Sequence, residues 1–281
     1  MSRLGCFFMF LLLCSGSVFA DAYPGMPAGQ GSYQELIKTY DDFLVWNAAT
    51  RSDYSADAIA DLREEIQDFH ARLQTLAVRD WPRDQQADFL AVRARIDQEE
   101  FRLRVSRPWA RDPGFYVDRM LRLTFTELPL NDDELLELKD KLASIPPLVA
   151  AAMENLDDIA ADYADLAIFN LANSDGVGHG FPYRNVPPAG VIGWYEDLLD
   201  RALKQQPELR DEIVTAKTSV ETFSAWLKAN RSEMTGRAGV GRDHFNWYLK
   251  HVKLMPFTTD EIVVLGEREL NRLWSVYALE R

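Results

Sequence analysis

The chain has 281 residues, 44 of them acidic and 31 basic, for a net charge of −13. Such a charge repels phosphate backbones and anionic lipids, so we expect no nucleic-acid partner. Both cysteines, Cys6 and Cys14, lie near the amino terminus, which argues against disulfides or thiolate catalysis in the rest of the chain. The length suffices for one large or two small domains.

Residues 1–22 have the features of a secretory signal peptide. Arg3 precedes an apolar run from Leu4 to Leu13, and cleavage is predicted after Ala20 or Ala22. The run is shorter than the roughly 20 residues that a membrane span needs. We therefore expect export, to the periplasm or the medium, with no stable span after cleavage. Lipid anchoring through Cys14 is a minor alternative, because a leucine precedes this cysteine where a small residue is expected.

Helical periodicity begins after a leader of residues 23–31 that is rich in proline and glycine. Ser32 and Glu35 have the spacing of a capping box at the start of the first predicted helix. The clearest periodicity runs from Ile59 to Leu76 and predicts a second helix. A third helix follows Pro82, because proline suits the first turn of a helix. Antiparallel helices with short turns are the simplest arrangement.

Proline and glycine interrupt this pattern before a predicted short helix at Phe115–Leu121. Asn131 is predicted to cap the next helix. Pro146 and Pro147 should then begin one long helix that continues to Leu166. Residues 173–190 contain four glycines and three prolines without any periodicity. We interpret them as a linker or a functional loop.

The remaining segments predict four more helices, at 194–203, 213–227, 245–252 and after Thr258, which has the capping-box spacing to Glu261. No stretch alternates in the manner of a strand. The predicted fold class is all-α: a multi-helix bundle or array with one long Gly/Pro-rich loop. We expect one helical region at 32–172 and a second at 191–281, with the weak boundary at 173–190.

The histidines do not form a recognisable metal motif. None of the four is followed by glutamate, so no His-Glu-x-x-His sequence exists. His244 and His251 are seven residues apart, which is about 10 Å along a helix and too far for two ligands of one zinc ion. We expect neither a metal nor another cofactor in this chain.

Residues 236–243 have the glycine spacing of a phosphate-binding loop but not its chemistry. Arg242 stands at the lysine position and Asp243 at the hydroxyl position, and a helix precedes the segment instead of a strand. A tight turn between helices is the simpler prediction. Four residues are candidates for contacting a ligand in a cleft: His179, Arg242, His244 and Tyr248.

Several local patterns together resemble the amino-terminal half of the DUF 885 (domain of unknown function 885) family, exported bacterial helical proteins related to zinc metallopeptidases. The patterns occur in order at 112–116, 144–148 with 155–156, 223–227, 241–245 with Leu249, and 259–262 with 265–266 and Glu269. The resemblance covers roughly Tyr33 to Arg281.

The resemblance implies a zinc site in a His-Glu-x-x-Pro-Gly-His helix, downstream of the segment that corresponds to 259–269. This chain contains no such sequence, so no ligand or catalytic glutamate can be assigned in it. We expect the noncatalytic amino-terminal part of a longer hydrolase, with zinc only in the longer parent and a peptide substrate as partner. The final helix is still periodic at Leu273 and Tyr277, as expected if it continues. The alternative is a complete periplasmic helical protein that binds a peptide or a partner protein; the oligomeric state is open.

Overall fold

The structure is a computed structural model, and it describes residues 26–49, 51, 53–173 and 190–280. Within these ranges the chain is all-α, as predicted, and it forms no strand, only two isolated β-bridges. The helices are α1 (Tyr33–Ala48), α2 (Ala56–Gln74), α3 (Arg83–Phe101), α4 (Pro108–Arg111), α5 (Gly114–Arg122), α6 (Asp132–Ala143), α7 (Ile145–Asn155), α8 (Ala161–Ala172), α9 (Gly190–Gln205), α10 (Arg210–Asn230), α11 (Arg242–His251) and α12 (Thr259–Leu279). A π-helical turn, Arg102–Ser106, follows α3.

The predicted signal peptide and the first residues of the leader lie outside the described residues, as does nearly all of the predicted loop at 173–190. No helix in the described part of the chain is both long and apolar enough to cross a membrane.

All three predicted helix caps are confirmed. At α6, the Asn131 side chain accepts a bond from the Glu134 amide at 3.0 Å, and the Glu134 carboxylate accepts one from the Asn131 amide at 3.2 Å. The same reciprocal bonds start α1 at Ser32 and α12 at Thr258. These caps satisfy amides that have no partner within the helix, and they fix where each helix begins.

The prediction of one long helix after Pro146 is wrong. The segment forms α7 and α8, with an irregular break from Leu156 to Ala160, both of which have extended backbone angles. Two adjacent acids, Asp157 and Asp158, lie at the end of α7, where the helix dipole disfavours negative charge. Their amides instead donate to the carbonyl of Ala110, at 3.0 and 3.3 Å.

The chain divides into two compact units. Among the described residues, the first unit comprises those up to Asn47, Gln67–Ile96 and those from Leu249 onward, and the second comprises those within Ala48–Ile66 and Asp97–Tyr248. Helices on both sides of residues 173–190 belong to the second unit, so the units do not follow the predicted division at that segment.

The first unit has a core of aromatic and aliphatic side chains from α1, α2 and α3. Phe43 is fully buried and meets Phe69 edge to face, with 5.5 Å between ring centroids. The segment before α1 passes very close to the end of α2: a Cβ on Gly29 would stand 2.0 Å from the Thr75 carbonyl oxygen. Only glycine permits this approach.

The second unit packs α5, α7, α8, α9 and α10 around large buried side chains. Tyr116 and Tyr195 are both fully buried, and their hydroxyls donate to the carbonyls of Trp109 at 2.7 Å and Met120 at 2.8 Å. Burial raises the pKa of Tyr116 to about 12 and also raises that of Tyr195. These paired hydroxyls tie α9 and the segment around α4 to one core.

Candidate functional site

Residues 235–241, here named the glycine connection, join the 3₁₀ turn Arg231–Glu233 to α11. It is not the tight turn that the glycines predict, because eight residues, 234–241, lie between the 3₁₀ turn and α11. Among its glycines Gly241 has a left-handed backbone, with φ of 86°. Gly236 serves a different purpose. A Cβ there would come within 2.7 Å of the Asp158 carbonyl oxygen, so the small residue permits close packing on the break between α7 and α8.

Arg111 is the main anchor of the glycine connection. It is only 8% exposed, and its guanidinium donates to the carbonyls of Arg237 and Gly239 and to the Asp158 carboxylate, the last at 3.1 Å. Further bonds hold the same segment, from the Gly236 amide to Ile159 at 2.9 Å and from the Tyr163 hydroxyl to Ala238 at 2.7 Å. The connection is therefore fixed along most of its length.

A cavity of about 340 Å³, here the linker cavity, lies beside this connection. Four arginines and His244 contribute to its lining: Arg104, Arg107, Arg111 and Arg237. Most of their charge is already paired, because Asp158 accepts from both Arg107 and Arg111 and Glu100 lies 3.5 Å from Arg104. This arrangement stabilises the fold and leaves little uncompensated charge for a ligand.

A second cavity of about 320 Å³, here the aromatic cavity, is lined by Phe101, Phe245 and Tyr248 together with Arg102. The rings of Phe101 and Tyr248 have centroids 5.0 Å apart, and those of Phe245 and Tyr248 are stacked at 6.4 Å. Val240 contributes to this cavity and to the linker cavity, so the two are neighbours.

The structure describes three of the four predicted site residues, Arg242, His244 and Tyr248, and places them at different positions. His244 lines the linker cavity and Tyr248 the aromatic cavity. Arg242 begins α11 with an exposed side chain and lines neither cavity. His179 lies outside the described residues. His244 and Tyr248 thus line two neighbouring cavities, and neither of these cavities is lined by both of them.

A third cavity, of about 770 Å³, was not predicted from the sequence. We name it the cationic cavity because five basic side chains and one acidic side chain, that of Asp53, line it; the basic ones are Arg51, Arg102, Arg119, Arg122 and Lys141. The available sequence signal was weak. Arg119 and Arg122 share a face of α5 at i,i+3 spacing, whereas Arg51 and Lys141 are distant in sequence and join them only through folding.

The last helix, α12, presents an apolar surface to solvent. Every residue from Val263 to Glu280 is exposed, including Leu273 at 51% and Trp274 at 60%. Leu270, Leu273, Trp274 and Tyr277 line a groove of about 510 Å³ at helical spacing. We name these four residues the α12 apolar face.

Comparisons with known proteins establish a shared fold but no family. The chain matches no protein-family model and no curated protein. Among solved structures it is similar to a putative lipoprotein of unknown function from Shewanella oneidensis, with a TM-score of 0.62 and 13% sequence identity. The alignment covers 86% of this chain and 46% of the Shewanella chain. This chain therefore spans about half the length of the structure that it matches, and at this identity the match shows a likeness of fold alone.

Proposed function

We propose that this chain is the noncatalytic amino-terminal part of an exported hydrolase of the DUF 885 kind. In this proposal its last helix packs against the carboxyl-terminal part, which carries the zinc motif. Zinc and the cleaved bond belong to that second part, and this chain supplies a wall of the substrate cleft. A peptide is the substrate class that the family resemblance implies.

The observation that carries the proposal is the α12 apolar face. Soluble proteins rarely leave a contiguous row of large apolar side chains uncovered. Leu273 and Trp274 are 51% and 60% exposed, so covering them and their two neighbours would contribute roughly 1 kcal/mol each. Together the four side chains would contribute about 4 kcal/mol in favour of packing this helix against a neighbouring layer.

Two further observations agree with this proposal. The Shewanella structure continues for about as many residues again as the part that aligns with this chain, since only 46% of it is covered. It is also described as a putative lipoprotein, and lipoproteins are a class of exported protein; this chain begins with the features of a signal peptide.

The direct test is the intact mass of the protein isolated from its native cells with an antibody against the purified chain. We expect a product about twice the 32.1 kDa of this sequence. A native product of roughly 30 kDa that ends at Arg281 would instead favour the complete binding protein. Stoichiometric zinc with metal-dependent hydrolysis by the 281-residue chain would contradict a noncatalytic role.

A pair of substitutions in α12 tests the carrying observation itself. Leu273→Ser should reduce the binding of an anilinonaphthalene sulfonate dye by the purified chain without lowering its melting temperature, because half of the side chain is already solvated. The matched control is Val264→Ser. Val264 is 63% exposed, and nine residues at 3.6 per turn place it on the opposite side of the helix.

In the longer native product the two substitutions should differ in their effect on the melting temperature. Leu273→Ser should lower the melting temperature there, since the side chain is then buried, and Val264→Ser should not. Equal effects of the two changes in the longer product would contradict a specific apolar contact.

A further inference from the structure

The cationic cavity has a charge opposite to that of the chain as a whole. The protein carries 13 more acids than basic residues, yet five of the six charged side chains that line this cavity are positive. All the lining residues belong to the second unit. Positive groups placed together repel one another, so the arrangement favours an anionic occupant.

Not all of these cations are available to a ligand. Glu99 accepts a bond from Arg102 at 2.6 Å, and Glu137 lies 2.5 Å from Lys141. In contrast, neither Arg119 nor Arg122 forms an ion pair with any residue in the described part of the chain. Arg119 bonds only to neutral groups, the Tyr54 hydroxyl at 3.1 Å and the Phe115 carbonyl.

Arg119 is held rigidly in its position. Its guanidinium lies 3.5 Å from the centre of the Phe115 ring and 5.5 Å from that of Tyr54. Tyr54 is itself only 7% exposed and stacks on Trp109 at 6.1 Å. A guanidinium fixed in this way loses little freedom when it binds, which favours affinity.

Arg122 lies nearly one turn further along α5, on the same side as Arg119, so their Cβ atoms are about 5–6 Å apart. Its side chain is exposed and makes no hydrogen bond to a described residue. Each guanidinium can bind a carboxylate or a phosphate through two parallel bonds. The pair therefore suits a molecule with two neighbouring anionic groups.

The rest of the wall defines the remainder of the ligand. Leu123, Ile145 and Leu148 give the cavity an apolar portion, and about 770 Å³ is within the usual range for a small-molecule site. The amino terminus of α7 adjoins the cavity but offers few donors, because Pro146 and Pro147 have no amide hydrogen. Recognition of the anion therefore depends on the arginine side chains.

We propose that the cationic cavity binds a small organic molecule carrying at least two carboxylate or phosphate groups, with Arg119 and Arg122 each holding one of them. This inference concerns the chain itself and does not depend on a carboxyl-terminal hydrolase part. The two proposals can therefore fail separately.

Isothermal titration calorimetry on the full 281-residue chain tests this inference, with citrate and pyrophosphate as probes. At least one probe should bind at low ionic strength and still bind at physiological salt, where charges on an open surface are screened. Binding of citrate alone identifies a carboxylate ligand, and binding of pyrophosphate alone a phosphate ligand. If neither binds at millimolar concentration, the proposal is overturned.

Three variants separate a built site from a general charge effect. Arg122→Ala and Arg119→Lys should each weaken binding by about tenfold. Lysine keeps the positive charge but lacks the paired N–H donors of a guanidinium. The control is Lys204→Ala, which removes an exposed positive charge from α9 and should leave the affinity within about twofold. An equal loss in Lys204→Ala and Arg122→Ala would overturn the proposal. Arg122 makes no bond to a described residue, so its variant keeps the test valid even if Arg119→Lys unfolds.

Discussion

Replacing Arg111 by glutamine should destabilise the second unit and release the glycine connection. The arginine is 8% exposed and reaches three parts of the chain at once: the break between α7 and α8, the glycine connection and the π-helical turn after α3. Glutamine keeps part of the stem but cannot reach these carbonyls together and carries no charge. The variant therefore removes the bonds with little change in side-chain packing.

The expected loss follows from the geometry of each bond. The bonds to Gly239 at 3.4 Å and Val105 at 3.5 Å are long and contribute little. The bond to the Arg237 carbonyl has a charged donor and contributes about 1.5–2 kcal/mol. The Asp158 pair contributes about 1 kcal/mol, since that carboxylate is 47% exposed and Arg107 remains beside it. The sum is a loss of about 3 kcal/mol in the free energy of unfolding.

Urea unfolding followed by tryptophan fluorescence measures this loss, and amide hydrogen exchange locates it. We expect faster exchange at Gly236, whose amide donates to Ile159 at 2.9 Å. Arg104→Gln is the matched control, because Arg104 also lines the linker cavity. Its side chain is half exposed, and its ion pair with Glu100 is long, at 3.5 Å. The loss in the free energy of unfolding should therefore stay below about 1 kcal/mol. Equal losses for the two variants, or unchanged exchange at Gly236 in the Arg111 variant, would refute the reasoning.

Three further predictions concern caps, buried hydroxyls and surface charge. Thr258→Ala should cost about 1 kcal/mol of local stability, seen as faster amide exchange in the first turn of α12. In the unmodified chain, hydrogen bonds from Thr258 lower the pKa of Glu261 below 4.5. The cap should therefore persist above pH 4.5 and be lost as the pH falls through that lowered pKa. Burial raises the pKa of Tyr116 from 10.0 to about 12, so stability should fall as pH rises through that interval, and Tyr116→Phe should make the fall less steep in unfolding experiments at each pH. Arg231→Ala should lower the melting temperature only slightly although its guanidinium lies 2.5 Å from Asp165, and added salt should reduce the difference from the unmodified chain; a loss that salt leaves unchanged would contradict a surface pair.

The helices could be predicted because their signals are local. The capping pairs at Ser32, Asn131 and Thr258 each involve residues three apart, and the apolar periodicity of α2 lies within one continuous segment. The break between α7 and α8 could not be read in this way. Its amides find a partner at Ala110, some fifty residues earlier, and no local pattern indicates that carbonyl.

The same distinction explains which site residues were predicted. His244 and Tyr248 follow the glycines of one short segment, so their proximity in sequence made them candidates for ligand contact. The cationic cavity joins Arg51, Arg119 and Lys141 from separate elements, and only folding brings these charges together. In the sequence, Arg119 and Arg122 are an ordinary pair on an amphipathic helix. Only the structure shows that neither forms an ion pair with a described residue.

The break between α7 and α8 also determines the geometry of the linker cavity. If α7 had continued through Ala160, Asp158 would lie within a regular helix, where its amide would bond along the helix and not to Ala110. In the observed break Asp158 pairs with Arg107 and Arg111, and the backbone at Ile159 accepts the Gly236 amide at 2.9 Å. The irregular segment thus fixes both the anchoring arginine and the glycine connection. The helix prediction failed at the point where long-range contacts replace the regular bonds of a helix.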